Sequence, residues 1–170
     1  MKYPKPKQTS LLLLAFITLL WTAGCAPPFS RQALDQVDRG ITFRDLQRDP
    51  DRYKGKSVML GGVIITSKNS KEGTVIEVLQ RPMGRRGRPL DTDSSEGRFL
   101  IESDEFLDAA VYHSGRMITI IGDVVGQTEQ KLGEMQYRYP VIKSRELEMW
   151  EPSARPQVHF GVGIGVYRGF

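Results

Sequence analysis

Apolar and polar residues alternate along much of this chain with a period of two, the period of strands rather than helices. Residues 56–66 place Val58, Leu60, Val63 and Ile65 in such a run, with Gly61 and Gly62 interrupting it. Glycines inside a strand mark a bulge or a sharp bend. Residues 69–73 read as a turn, and the β-branched run 74–80 returns from it, so the two runs predict a hairpin. Residues 98–102 form a short third strand, and 116–125 the strongest one. A loop through Gly126 to Gly133 leads to 137–143, an edge strand because Pro140 cannot donate to a ladder. Leu147, Met149 and Trp150 close the pattern.

Helical spacing is brief. Leu34, Val37 and Ile41 recur at helical intervals in a polar setting. Thr42 is placed to cap a short helix over 42–47, which Asp49-Pro50 ends. Residues 104–112 predict another short helix, with acids in its first turn where the helix dipole favours them. His113-Ser114-Gly115 stops it. Three strands, a helix and two strands give the expected fold class. It is mainly β, a small five-stranded OB-like, partly open barrel with one short helix between strands 3 and 4.

The two ends follow other patterns. Lys2, Lys5 and Lys7 precede the apolar run 11–21, then small residues and Cys25, the sole cysteine. A basic start, a short apolar stretch and a small-residue cut predict a signal peptide over 1–24. The run falls short of the ~20 residues that a spanning helix needs. A cysteine at the cut resembles the bacterial lipobox, with Thr22 where that box usually has leucine. It implies a lipid-acylated Cys25, and Ala26 after it implies the outer membrane; the expected location is there, lipid-anchored and facing the periplasm. A secreted protein that happens to begin with cysteine and a spanning anchor are the alternatives. Residues 25–40 read as a tether, 41–151 as the barrel domain and 152–170 as a glycine-rich tail. In the tail Val158, Phe160, Val162, Ile164 and Val166 alternate with mostly glycine. It is either a flexible tail or a contact with a membrane or a partner's sheet edge.

Charge changes the picture only after the signal peptide is removed. The whole chain carries 24 basic and 20 acidic residues, net +4; without the three signal lysines it is 21 − 20 = +1. Overall charge therefore gives no argument for nucleic acid. With Cys25 acylated no thiol remains for a disulfide or a metal.

Several short stretches carry a resemblance. They are Tyr53-Lys54-Gly55-Lys56-Ser57-Val58-Met59-Leu60-Gly61-Gly62, then Glu77-Val78-Leu79-Gln80, Ser95-Glu96-Gly97-Arg98-Phe99 and Tyr137-Arg138-Tyr139-Pro140. In this order behind a lipobox, the chain resembles the Slp family of outer-membrane lipoproteins, over Cys25 to about Trp150. The resemblance implies an outer-membrane location and a role in stress or envelope integrity. It brings no catalytic residues with it.

Candidate chemistry is sparse. His113 and His159 are the only histidines, and neither has a second ligand at metal spacing. Ser94 and Ser95 lack a nucleophile elbow. Asp91, Asp93 and Glu96 are spaced like cation ligands but lack the glycine and far glutamate of a calcium loop. The candidate binding surface is Arg81, Arg85, Arg86 and Arg88, with Arg98 just after them, because guanidinium forks suit phosphate or carboxylate. A solvated loop balanced by Asp91, Asp93 and Glu96 is the plainer reading. Tyr137 and Tyr139 share a strand face, as a stacking platform or as core and edge cover. The expected function is a non-enzymatic binding or assembly module without cofactor or metal. Its partners would be the membrane through Cys25 and an envelope protein or polymer, either lipopolysaccharide or peptidoglycan. A structural protein without a ligand and a cell-wall hydrolase are the alternatives.

Overall fold

Residues that alternate in sequence alternate in burial. Thr74, Ile76, Val78 and Gln80 turn inward on one strand, and the residues between them are only half-buried. The computed structural model describes residues 27–151. Five strands follow two short helices: α1 (Arg31–Gln36), α2 (Phe43–Arg48), a 3₁₀ turn at Pro50–Tyr53, then β1 (Ser57–Ser70), β2 (Gly73–Gln80), β3 (Arg98–Ser103), β4 (Met117–Leu132) and β5 (Met135–Trp150). The protein is mainly β, as expected, and its sheet is a five-stranded barrel in the order β1-β2-β3-β5-β4. β4 returns to pair with β1, so the barrel is closed rather than partly open. The seam is short. β3 and β5 run parallel and pair only at Leu100, Ile101 and Glu102 with Val141, Ile142 and Lys143.

The interior is built from Val58, Leu60, Ile64, Ile76, Val78, Phe99, Ile101, Ile118, Ile120, Val124 and Ile142, all buried. Branched side chains suit a pleated inner surface. Burying each contributes ~1.5–3 kcal/mol relative to exposure. Phe43 and Leu46 of α2 close the end nearest Phe99; the Phe43 and Phe99 rings meet edge-on at 5.9 Å. Thr42 caps that helix as expected, in a reciprocal capping box with Asp45.

Of the bulge or bend expected at Gly61 and Gly62, the bulge does not fall there. The register slips later, between Ile64 and Thr66. β1 pairs with β4 over 57–63 and with β2 from Gly62 onward, so Gly62 has a neighbour on both sides. A Cβ there would strike the Leu79 carbonyl, and one on Gly61 would meet Met83 and Pro89. These glycines are needed for close approach.

No helix lies between β3 and β4. The expected helix over 104–112 is replaced by turns, because side chains from β1 and β2 claim its backbone groups. Thr74 Oγ1 donates to the Glu105 carbonyl and accepts the Leu107 amide, both at 2.9 Å. Asn69 Nδ2 donates to the Leu107 carbonyl at 3.1 Å. Leu107 is thereby fixed as a buried plug beside β1 and β2. Only one turn survives, from Asp108 to Tyr112.

The expected loop over 126–133 and edge strand over 137–143 also change. β4 and β5 form one long hairpin joined at Gly133-Glu134. β5 is flanked on both sides at Val141–Lys143, with Pro140 just before that stretch. The missing donor of Pro140 thus falls where β5 has β4 alone beside it.

Residues from Phe29 onward are packed rather than a tether to residue 40. Phe29 and Ala33 are buried against Ile121. Glu146 accepts from the Ser30 amide at 3.0 Å and from its hydroxyl at 2.6 Å. Among the described residues no helix is long and apolar enough to cross a membrane.

Candidate functional site

The arginine-bearing connection between β2 and β3 is tied to the barrel. Met83 bridges Pro89 across it, and the Gly84 amide donates to the Arg88 carbonyl at 2.7 Å. Thr119 Oγ1 donates to the Gly87 carbonyl at 2.7 Å and itself accepts from Trp150 Nε1 at 2.9 Å. These contacts hold a single 3₁₀ turn, Arg85–Gly87, outward. Arg86 sits at φ 59, where a side chain costs on the order of 1–2 kcal/mol.

The five candidate arginines separate. Arg81 donates to the Ser94 carbonyl at 3.1 Å. Arg88 donates to the Glu151 carbonyl at 2.7 Å, and its guanidinium carbon lies 5.7 Å from the centroid of the Trp150 ring. Arg98 pairs with Glu77 at 2.7 Å, and that bond holds its pKa above the usual guanidinium value. Arg85 and Arg86 alone of the five are exposed.

Arg98 belongs to a different cluster, together with the two tyrosines. The Tyr137 and Tyr139 rings meet edge-on at 4.7 Å. The Tyr137 hydroxyl accepts from Gln47 Nε2 at 2.6 Å and from the Arg98 amide at 2.9 Å. Tyr139 is 3% exposed and donates to Glu77 at 3.1 Å. Burial, then the Glu77 contact, pushes its phenol up. The pair packs with Leu100 and Val141. A Cβ on Gly97, whose φ is +140, would meet both the Tyr137 hydroxyl and the Gln47 amide. Three of the four short stretches that carry the family resemblance therefore meet here, joining β2, β3 and β5.

His113 is exposed, with Nδ1 2.9 Å from the Ser114 carbonyl oxygen. Asp91 and Asp93 are exposed, and Glu96 pairs with Arg44 at 2.8 Å. Among the described residues no three His, Cys, Asp or Glu side chains converge on a metal site. Cys25, His159 and the tail stripe lie outside the described residues.

One concavity was only faintly signalled in the sequence. A groove of about 860 Å³ opens beside the outward turn. Its apolar wall includes Phe29, Leu34, Val37, Ile41, Met59 and Trp150. Its charged lining is Asp38, Arg39, Arg86 and Glu148, two of each sign. A predominantly apolar cleft with a few charged groups is the usual form of a ligand site. One signal for it was present: Leu34, Val37 and Ile41, apolar at helical spacing in a segment that otherwise reads as a tether.

Comparison with known proteins gives the same identity as the short stretches. Residues 22–165 match the model of the Outer membrane lipoprotein Slp family. The chain is 23% identical to the Outer membrane protein Slp of Escherichia coli over 138 residues, 81% of this chain and 73% of that protein. It is 26% identical to the Uncharacterized lipoprotein YeaY of the same organism over 101 residues, 59% of this chain and about half, 52%, of that protein. An Uncharacterized protein of Haemophilus influenzae is 29% identical over 143 residues, 79% of this chain and 76% of that protein. No solved structure matches the chain significantly. The chain belongs to the Slp family of outer membrane lipoproteins.

Proposed function

We propose that this envelope lipoprotein is a non-enzymatic binding module, held at the outer membrane through acylated Cys25, with the groove as its binding surface. The place of residues 27–29, close behind Cys25, carries this reading. Pro27 and Pro28 line the groove, and Phe29 is buried against the barrel. Cys25 lies two residues before Pro27, at most roughly 7 Å of extended chain. An anchor so close keeps this face against the lipid surface. Arg85 and Arg86 project from the turn beside the groove, where lipid phosphates would meet them. Each arginine near an anionic surface is worth ~1 kcal/mol.

The anchor and the surface are tested separately. Cys25→Ser should abolish labelling by a fatty-acid analogue and release the protein from the outer-membrane fraction; persistent labelling refutes the anchor. The unacylated Cys25→Ser chain should float with vesicles containing anionic lipid. Adding Arg85→Ala and Arg86→Ala should weaken that binding about 30-fold. Equal flotation of both chains refutes the arginine surface.

A further inference from the structure

Both ends of the described chain lie at the groove, whose lining includes Pro27, Pro28 and Trp150. The Trp150 end is fixed by the Arg88 bond to the Glu151 carbonyl and the Trp150 bond to Thr119. The chain continues through residues 152–157, which include Pro152 and Pro156, into the stripe of Val158, Phe160, Val162, Ile164 and Val166. We infer that this stripe of the same chain seats in the groove as its resident occupant. The inference rests on the groove being the binding surface, and it names the occupant of that surface.

Four features carry it. Reach is sufficient, since seven residues from Glu151 to Val158 extend up to roughly 25 Å, starting from the groove's own wall. Shape fits, since in an extended segment the five apolar side chains share one face. Gly161, Gly163 and Gly165 leave the other face nearly bare, so the backbone can lie close to a wall. Polarity is compatible, since the wall is mostly apolar and its two carboxylates and two guanidiniums sum to zero, while the stripe residues are all uncharged. Attachment also favours it: only residues 152–157 separate the stripe from the groove's wall, and a short tether raises the effective concentration into the millimolar range.

The test uses the full mature chain and the fluorescent probe anilinonaphthalene sulfonate, which brightens in apolar sites. Wild type should bind the probe weakly. Val162→Asp with Ile164→Asp should raise emission several-fold, because buried unpaired carboxylates expel the tail. Strong emission from both chains overturns the tail inference and leaves the groove as a binding surface. Weak emission from both overturns the groove reading as well. A second measurement is independent of any probe. In a Cys25→Ser background, Leu34→Cys and Val162→Cys should form an intramolecular disulfide under mild oxidation. A disulfide-linked dimer, or no cross-link, overturns the inference.

Discussion

The barrel interior and the groove wall use the same kinds of apolar residue in opposite ways. Inside the barrel, Ile64, Ile76, Ile101, Ile118, Ile120 and Ile142 are all 0% exposed, each held by a strand paired with its neighbours. On the groove side only Phe29, Ala33 and Ile121 are buried, and Leu34, Val37 and Met59 pack partly against them. Part of that wall is the six-residue helix α1, fixed by a cap, the Glu146 carboxylate, the Arg145 bond to Gln36 and the bridge from Val37 to Ser57. Closed register makes stability cheap in the first region. Leaving apolar surface open in the second makes it available for binding. The domain therefore divides into a scaffold and a separately adjustable face.

The largest way to break this contrast is inside the barrel. Ile101→Ala should lower stability by about 3 kcal/mol, seen as a lower urea midpoint, because the closed ring cannot collapse around the void. A loss below about 1 kcal/mol would mean that the barrel relaxes as readily as the groove wall. Gly62→Ala should come next, at about 2 kcal/mol. The added methyl meets the Leu79 carbonyl, which the β1–β2 ladder holds in place.

The barrel was legible in the sequence and the groove was not. Strand-period alternation located all five strands, since each needs only its own inward face to be apolar. Their limits were less legible. Residues 127–131 are polar, yet they pair with 136–140, because the hairpin ladder satisfies their backbone while their own side chains stay mostly exposed. The helix expected over 104–112 failed for a nonlocal reason: Thr74 and Asn69, more than thirty residues earlier, take its amides and carbonyls. Loop composition grouped Arg81, Arg85, Arg86 and Arg88 as one open surface with Arg98 beside it, whereas only Arg85 and Arg86 of the five are exposed. It could not reveal that Arg98 faces Glu77, since that pairing depends on the β2–β3 register. The groove is assembled from residues 27–41, 59, 83–87 and 148–150, and no local pattern joins such distant pieces.

Smaller perturbations should act on the groove wall alone. Ser30→Ala removes the α1 cap and both groups' shared partner in the hydroxyl, and should cost about 1 kcal/mol locally. Hydrogen exchange should rise over α1 and leave β1 to β5 protected. Uniform deprotection of the barrel would show that the two regions unfold together.

Acid should produce the mildest and most selective effect. The Ser30 hydroxyl, then its amide, holds the Glu146 carboxyl below its usual pKa. A group lowered in the folded state contributes stability above its unfolded pKa and loses it as pH falls through the folded value. The contribution is therefore intact at pH 7 and fades below the ordinary carboxylate range. Trp150 lines the same groove, so its fluorescence should report the loosening before the barrel unfolds. Asp45 is also lowered, by its capping box with Thr42, so α2 should loosen at acid pH too. Glu146→Gln separates the two, since it keeps Asp38 and Glu148 on the groove and Asp45 on α2 while removing only this titration. The variant should show a flatter acid response at Trp150 and an unchanged one at α2. An identical Trp150 profile in both chains would place the acid-sensitive contact elsewhere and leave the groove wall no less robust than the barrel.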